Sequence, residues 1–305
     1  MKKVLLSGAG GFIGKNTVPF LLEKGYEVHG LGRGPRPGFL KASVHWHRID
    51  LLDLQATRTL VASLAATHLL HLAWYTVHEK FWTAEENRQW VDASFSLLAG
   101  FGKNGGQRAV FAGTCAEYDW SQGTCSEDQT PLMPASLYGI CKNSLREKAE
   151  RYAGDHAISF AWGRLFFLYG PAEQEGRLVP SVVSALMAGQ PAKCTHGRQV
   201  RDFLYVEDAA SAFVALLDSN IQEPVNIASG NPIELRTLID MIAQDIGRPE
   251  LVQWGAITVS ENDPPRLTAN TDKLRDRVRW NPQYPLQKGI AATIKNYRKE
   301  TDGHS

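Results

Sequence analysis

The sequence lacks most features that would place it in a specialised class of protein. Its formal net charge is only +1 and no block of like charge stands out, so nothing indicates a nucleic-acid or membrane partner. It has no apolar run of about 18 residues or more, so we expect no membrane span. Glycines interrupt the apolar stretch near the start and no small-residue cleavage site follows, so we also expect no signal peptide.

Cysteine is scarce and histidine is scattered. The cysteines Cys115, Cys125, Cys141 and Cys194 form no CxxC pair and no ligand-spaced cluster with histidine. This predicts neither a disulfide framework nor a zinc site, and a cytoplasmic location is the simple interpretation. Other histidines alternate along predicted strands or fall in loops without a paired carboxylate, so we interpret them as packed or surface residues and predict no metal site; they are His45, His47, His68, His71 and His78.

The composition that remains is ordinary for a globular protein, with 43% hydrophobic and 21% charged residues among 305. Up to about residue 170, short apolar strand patterns alternate with helical patterns, which predicts a parallel sheet covered by helices on both faces. Beyond that point the alternation weakens and prolines appear. We therefore expect one domain from 1–169 plus about 202–229, and a smaller lobe from about 170–201 and 230–305.

A glycine-rich turn follows the first predicted strand and leads into a helix. In GAGGFIG, Gly8, Gly11 and Gly14 let the backbone turn tightly and approach a pyrophosphate, while the helix N-terminus offers oriented N–H donors. We assign Phe12 and Ile13, which lie between these glycines, to the same cofactor site. The expected fold is α/β, a Rossmann-type doubly wound parallel sheet with a smaller, discontinuous C-terminal substrate lobe.

The end of the second predicted strand bears on the choice of cofactor. An acid about 20 residues past the glycines usually binds a free ribose 2′-hydroxyl. Here Gly32 occupies the expected acid position, Arg33 follows it, and Arg36 is close by. Because a guanidinium matches a 2′-phosphate, we favour NADP (NADPH) over NAD, with NAD still possible.

Tyr138 and Lys142 lie four residues apart in SLYGICKNSL, a run with a helical pattern. Four residues is about one helical turn, so both side chains project from one face. The spacing alone leaves two interpretations open, a surface pair or a tuned acid.

Seven motifs are distributed along the chain in a characteristic order and spacing. They are GAGGFIG, IDL, HLAW, AGTCAEY, YGICK, GRLFFLYGP and RDFLYVEDAA. In this combination the chain resembles the extended short-chain dehydrogenase/reductase family, in its nucleotide-sugar epimerase, dehydratase and reductase branch. The resemblance implies cofactor contacts at Asp50 and Leu51, at Leu72 and Ala73, and at Lys142.

The same resemblance implies a catalytic set of Thr114, Tyr138 and Lys142. The lysine ammonium and the positive nicotinamide would lower the tyrosine pKa, so that the phenol exchanges a proton with a sugar oxygen near neutral pH. Lys142 would also hydrogen-bond the nicotinamide ribose. The match to the family's Ser/Thr is Thr114, counted back from Tyr118, and its hydroxyl would bind the same sugar oxygen.

Departures from the family pattern narrow the expected reaction. Sugar 4,6-dehydratases carry an Asp–Glu pair directly after that threonine, whereas this chain has Cys115 and Ala116, with Glu117 one place further on as an imperfect substitute. Dehydration is therefore disfavoured. Phe167 replaces the asparagine that touches the nucleotide-sugar diphosphate, which suggests an altered sugar-side wall.

The nucleotide end of the substrate site follows the family more closely. Arg201 and Arg266 resemble arginines that bind the diphosphate, and Leu178 and Val179 resemble the segment that lines the base pocket. The resemblance also implies a homodimer, in which two helices of each subunit form a four-helix bundle.

The sequence is compatible with three functions. The leading expectation is an NADPH-dependent 4-ketoreductase acting on a nucleotide-diphosphate 4-keto-6-deoxy sugar, with Tyr138 as the acid. The alternative is an NAD-dependent nucleotide-sugar 4-epimerase that uses the same catalytic set. A binding protein that senses NAD(P) without turnover is the third.

Overall fold

The computed structural model describes residues 2–302, and the side chains of residues 2–299. Its strands are β1 Lys3–Ser7, β2 Glu27–Gly32, β3 His45–Arg48, β4 His68–His71, β5 Arg108–Thr114, β6 Thr124–Cys125, β7 Ser159–Leu165, β8 Phe167–Tyr169, β9 Ala192–Lys193, β10 Val200–Arg201, β11 Phe203–Tyr205, β12 Pro224–Ile227, β13 Ile233–Glu234, β14 Val252–Gln253 and β15 Arg266–Ala269. Its α-helices are α1 Phe12–Glu23, α2 Leu54–Leu64, α3 Glu86–Lys103, α4 Leu137–Asp155, α5 Leu178–Met187, α6 Val206–Asp218, α7 Leu235–Ile246 and α8 Leu286–Asp302.

A seven-stranded sheet organises the larger part of the molecule, in the order β12-β7-β5-β4-β1-β2-β3. Every neighbouring pair in it is parallel. The strand order reverses between β1 and β4, which opens a crevice at the carboxyl ends of these strands. The predicted α/β fold with a doubly wound parallel sheet is confirmed.

The two faces of the sheet carry separate apolar cores because side chains alternate along each strand. Val4 and Leu6 of β1 belong to a core shared with α1 and α6. Leu5 points the other way, into a core shared with α2, α3 and α4. Helices therefore cover both faces, as the hydrophobic pattern predicts.

A third apolar core lies among α5, α7 and α8, and contains Tyr169, Val183, Ile239 and Ile290. Short strands accompany these helices, in a four-stranded sheet and two small two-stranded ones. No helix among the described residues is long and apolar enough to cross a membrane.

The stretch ISFAWGRLFFLYG has the apolar pattern of one strand, and the prediction of a single strand there is wrong. The structure divides it into β7 and β8 at Phe166. The Phe166 N–H donates to the carbonyl of Ile227, and its buried ring packs in a small core with Tyr118. β7 stays in the large sheet, whereas β8 pairs with β11.

Candidate active site

The glycine turn after β1 is tightly packed. Gly8 has a φ of +72°, and its carbonyl accepts a hydrogen bond of 2.9 Å from the Gly11 N–H. A Cβ on Gly14 would lie 2.0 Å from that carbonyl oxygen, and one on Gly8 would lie 3.0 Å from the Ala73 nitrogen. Helix α1 begins at Phe12 with no acidic residue in its first turn, so the helix start is suited to an anionic group.

A buried polar network supports this turn, and the sequence reasoning missed it. The Nδ1 of His71 lies 2.7 Å from the Ser7 hydroxyl, and its Nε2 lies 2.8 Å from the Ser94 hydroxyl. The Ser7 oxygen also accepts hydrogen bonds from the Leu72 and Ala73 N–H groups, at 3.1 and 3.3 Å. Burial lowers the pKa of His71 to about 3, so the ring is neutral.

The end of β2 has no room for an acid. A Cβ on Gly32 would lie 2.4 Å from the Trp46 ring, which covers this position from β3. Arg33 is exposed beside it. Arg36 is engaged elsewhere, because its guanidinium donates to the carbonyls of Lys41 and Val44 at 2.6 and 2.7 Å.

The loop after β3 holds Asp50 and Leu51, which the family resemblance predicts to contact the cofactor. Asp50 is exposed and accepts a hydrogen bond of 3.1 Å from the Leu52 N–H. Leu51 is buried in the core beneath the loop.

Thr114, Tyr138 and Lys142 meet at the carboxyl end of β5. Thr114 is its last residue, and α4 starts just past Ser136, whose hydroxyl caps it by accepting from the Gly139 N–H at 3.1 Å. The Thr114 hydroxyl neighbours the Tyr138 phenol. Lys142 is buried one turn along α4, so the tyrosine–lysine pair is not a surface pair.

The expected lowering of the Tyr138 pKa is not found in the polypeptide alone. Burial raises the pKa of this phenol, and the neighbouring Thr114 hydroxyl only partly opposes the rise. Burial also lowers the pKa of Lys142 to about 7. Its Nζ donates to the Ala112 carbonyl at 2.8 Å and lies 3.9 Å from the centre of the Trp74 ring, so it is held beneath the site.

Glu117 serves the structure of the site and does not face a substrate. Its fully buried carboxylate accepts hydrogen bonds from the Thr114 N–H at 2.8 Å, from the Trp162 indole at 2.9 Å and from the Arg164 guanidinium at 2.7 Å. These partners use both oxygens. Glu117 is therefore no substitute for a dehydratase acid.

Aromatic side chains from two segments surround Tyr138, a feature the sequence pattern did not assign. The rings of Trp74, Phe81 and Trp82 lie edge-on to the phenol, with centroids 6.5, 5.0 and 5.9 Å away. The Arg177 guanidinium lies 5.3 Å from the Phe81 ring centre. The wall beside the phenol is thus mainly apolar.

Glu173 lies near Arg177 in the loop before α5, and sequence reasoning gave no signal for it. Burial raises its pKa to about 8, with Arg177 acting in the opposite direction. Its Oε2 is buried and has no hydrogen-bond partner within the described part of the chain. An unpartnered buried carboxylate is costly and is retained more easily where a ligand donates to it.

The two arginines predicted for the diphosphate do not converge. Arg201 is buried, pairs with Asp263 and lies 5.5 Å from the centre of the Phe167 ring. It also acts electrostatically on Cys115, which follows the catalytic threonine. Arg266 is exposed and pairs in register with Val200, so it points to the opposite face of the small sheet from Arg201.

Only one of the two residues predicted for the base pocket is open to a ligand. Leu178 lines a groove of about 240 Å³ together with Gly176, Ser181, Ala192, Lys193 and Ile257. Val179 is only 2% exposed and packs in the third apolar core.

The thiols and most histidines agree with the sequence interpretation. All four cysteines are free and buried. His68 and His71 are buried in β4. His45, however, lies 3.9 Å from Glu27 across the β2–β3 pair, and His47 lies 2.9 Å from His29. The prediction that these histidines have no paired carboxylate is therefore wrong for His45.

Comparison with known proteins establishes the family to which this chain belongs. Residues 4–228 match the model of the NAD dependent epimerase/dehydratase family. The chain belongs to this family. It is 27% identical to the CDP-abequose synthase of Salmonella typhimurium, covering 96% of this chain and 97% of that protein. It is 24% identical to the UDP-glucuronate 4-epimerase of Thermodesulfobacterium geofontis, covering 97% and 96%.

Solved structures of the family superpose on nearly the whole chain. The UDP-glucose 4-epimerase of Thermotoga maritima, solved with UDP-glucose, has a TM-score of 0.88 at 21% identity and covers 98% of this chain and 99% of its own. MoeE5, in complex with UDP-glucose and NAD, has a TM-score of 0.85 at 27% identity with the same coverage. The protein is therefore an enzyme of the nucleotide-sugar epimerase/dehydratase family with a Rossmann-type fold.

Proposed function

We propose that this enzyme reduces the keto group of a nucleotide-activated 4-keto-6-deoxy sugar at the expense of NADPH. The observation that carries the reaction type is the Thr114 hydroxyl beside the Tyr138 phenol, next to buried Lys142, at the end of β5. A phenol and a hydroxyl in contact can hold one carbonyl oxygen between them.

A nicotinamide cofactor fits the residues at the crevice, because the packing of Gly8 and Gly14 brings backbone rather than side chains to the start of α1. When bound in reduced form it supplies the hydride that reaches the keto carbon. Tyr138 donates its proton to the carbonyl oxygen, which becomes the new hydroxyl, and Thr114 holds that oxygen. Lys142 keeps its Ala112 carbonyl and has further N–H groups for the nicotinamide ribose.

The protonated phenol of Tyr138 supports its role as the proton donor in a reduction. A phenol that keeps its proton is the form that a proton donor requires. The engagement of Glu117 with Arg164 supports the exclusion of 4,6-dehydration.

The apolar wall supports a 6-deoxy sugar. Trp74, Phe81 and Trp82 beside the phenol suit a methyl group better than a hydroxymethyl group, whose hydroxyl would lose its hydrogen bonds to water. On the nucleotide side, Arg201 is the proposed diphosphate contact, with Phe167 beneath it, and its pairing with Asp263 would be exchanged for the phosphate.

Preference for NADP rests on the end of β2. Trp46 leaves no space for a ribose-binding acid at Gly32, and the exposed guanidinium of Arg33 beside it supports a contact with a 2′-phosphate. Arg33→Ala should weaken NADPH binding at least tenfold and leave NADH binding unchanged, as measured by fluorescence titration. Equal losses for both cofactors would exclude Arg33 as a 2′-phosphate ligand.

The second candidate is an NAD-dependent 4-epimerase, favoured by the UDP-glucuronate 4-epimerase relative and by the NAD bound to MoeE5. Mass spectrometry of the nicotinamide released from freshly purified protein separates the two. Stoichiometric, tightly held NAD would favour the epimerase, whereas an empty site or exchangeable NADP(H) would favour the reductase.

We also propose the predicted division of the chain, with residues 1–169 and about 202–229 binding the cofactor and the remainder binding the nucleotide sugar.

A homodimer formed through α3 and α4 is proposed because these helices pack side by side and α4 presents Ile140 with 49% of its surface exposed. Light scattering on the purified protein, with Ile140→Asp as the variant, tests this arrangement. The free thiols suit a cytoplasmic location.

A further inference from the structure

A cluster of imidazoles and one carboxylate lies at the amino ends of β2 and β3, on the opposite edge of the sheet from the glycine turn. The parallel register places His29 directly beside His45, and Glu27 shares the face of β2 with His29. One potential ligand atom from each of these three residues lies within 4.8 Å of the other two.

The individual distances are close to those between ligands of one metal ion. The Nε2 of His29 is 2.8 Å from Glu27 Oε1, and the Nε2 of His45 is 3.9 Å from the same oxygen. The rings of His29 and His45 are stacked, with centroids 4.6 Å apart and planes inclined by 23°. Both imidazoles therefore reach the same oxygen of the Glu27 carboxylate.

We propose that Glu27, His29 and His45 bind a divalent transition-metal ion of the zinc class, linking β2 to the edge strand β3. Two imidazole nitrogens and a carboxylate oxygen are ligands typical of Zn²⁺, and water can complete a tetrahedral set. Calcium and magnesium are disfavoured because they take oxygen ligands.

A further histidine supports the set from behind. His29 is buried, and its Nδ1 lies 2.9 Å from the Nε2 of His47. With a metal on its Nε2, the Nδ1–H of His29 donates to that nitrogen, which fixes the ring orientation as outer partners of metal-bound histidines do. His47 is thus a positioning residue.

Lys3 is the nearest cation that competes for the Glu27 carboxylate, and a metal ion can displace it. Lys3 Nζ lies 3.7 Å from Glu27 Oε1, but it also donates to the Leu64 carbonyl at 3.0 Å. It keeps that partner when a metal ion takes the carboxylate. Since the site lies at the amino ends of the strands, away from Tyr138, its expected effect is on stability rather than on catalysis.

Metal binding to the full, untagged and chelator-treated chain tests the proposal. Zn²⁺ titrated by calorimetry should bind with one-to-one stoichiometry and raise the melting temperature. His45→Ala, at a ring 58% exposed, should weaken binding at least 100-fold and remove the thermal shift. His47→Ala should weaken binding about 10- to 100-fold. The control, exposed His196→Ala, should bind as the parent does.

Glu27→Gln provides a second ligand variant that preserves the side-chain shape and should also lose tight binding. Circular dichroism on each variant checks that the fold is retained. Stoichiometric binding that survives both His45→Ala and Glu27→Gln would place the metal elsewhere and overturn the proposal, as would a parent chain without one-to-one binding. None of these measurements depends on the enzymatic activity.

Discussion

Replacing Gly14 with alanine should destabilise the protein and weaken its affinity for a dinucleotide. The new Cβ would lie 2.0 Å from the Gly8 carbonyl oxygen and 2.8 Å from the Ala9 Cα, both backbone atoms. Ordinary Cβ contacts begin near 3.4 Å, so the turn and α1 must separate by about 1.4 Å, the difference between 3.4 and 2.0 Å. Overpacking of this kind costs about 1–3 kcal/mol, more than the helix-propensity gain of up to about 1 kcal/mol.

Gly154→Ala is the matched control, because it makes the same chemical change in a helix where a Cβ meets nothing within 4 Å. It should stabilise the protein by up to about 1 kcal/mol. Urea unfolding gives both free energies, and titration with NADP(H) should show an affinity loss of at least tenfold for Gly14→Ala alone. Equal stability and equal affinity in the two variants would show that α1 does not need glycine at position 14 to pack closely against the turn.

Three further perturbations follow from the buried polar groups. Glu117→Ala should lower the free energy of unfolding by about 3–5 kcal/mol because it strands the Arg164 charge, whereas Glu85→Ala in the exposed Arg88 pair should have no measurable effect; similar results for both in urea unfolding would contradict this. The pKa of His68 is lowered to about 4 and that of His71 to about 3, so their contribution to stability is complete above about pH 6.5 and is lost as the pH falls toward these values. Between pH 6.5 and 5 the free energy of unfolding should fall by on the order of 2 kcal/mol for each ring. If the free energy of unfolding of His68→Gln has the same pH dependence as that of the parent, this ring is not the source of the loss. Because the pKa of Glu173 is raised to about 8, Glu173→Gln should raise the melting temperature relative to the parent at pH 8 and much less at pH 5; the reverse pH trend would place that carboxylate in a favourable ionised environment.

The sequence predicts those parts of the structure that depend on local pattern. The strand pattern RAVFAGT and the helical pattern LQATRTLVASL have the same bounds as β5 and α2 in the structure. Continuous burial on both faces of the strand and a regular helical repeat leave few alternatives. The sequence predicts the glycine turn equally well, since the geometry of this turn depends on residues that are close together in the chain.

The contacts that the sequence does not predict join residues far apart in the chain. Arg164 neutralises Glu117 across 47 positions, and Ser94 reaches His71 from a neighbouring helix. The pKa of Tyr138 is expected to fall under the combined charges of Lys142 and a bound nicotinamide, whereas in the polypeptide alone burial raises it. Spacing along a helix gives proximity, whereas the electrostatic environment depends on everything packed around it.

Arg36 and Arg266 illustrate the same limit on the surface. Each stands in a motif that suggests phosphate binding, but Arg36 clamps its own loop through main-chain carbonyls. Arg266 points away from Arg201 because the register of β10 and β15 puts them on opposite faces. Side-chain direction in short strands follows from pairing, which one sequence does not fix.

Oxidation of NADPH in the presence of a panel of nucleotide-activated 4-keto-6-deoxy sugars tests the central claim most directly. The account predicts stoichiometric conversion of NADPH and sugar to NADP⁺ and the 4-hydroxy product. It also predicts a loss of at least 100-fold in rate for Tyr138→Phe, which removes the proton donor. Interconversion of two 4-epimers without net consumption of NADPH, or an undiminished rate in Tyr138→Phe, would contradict it.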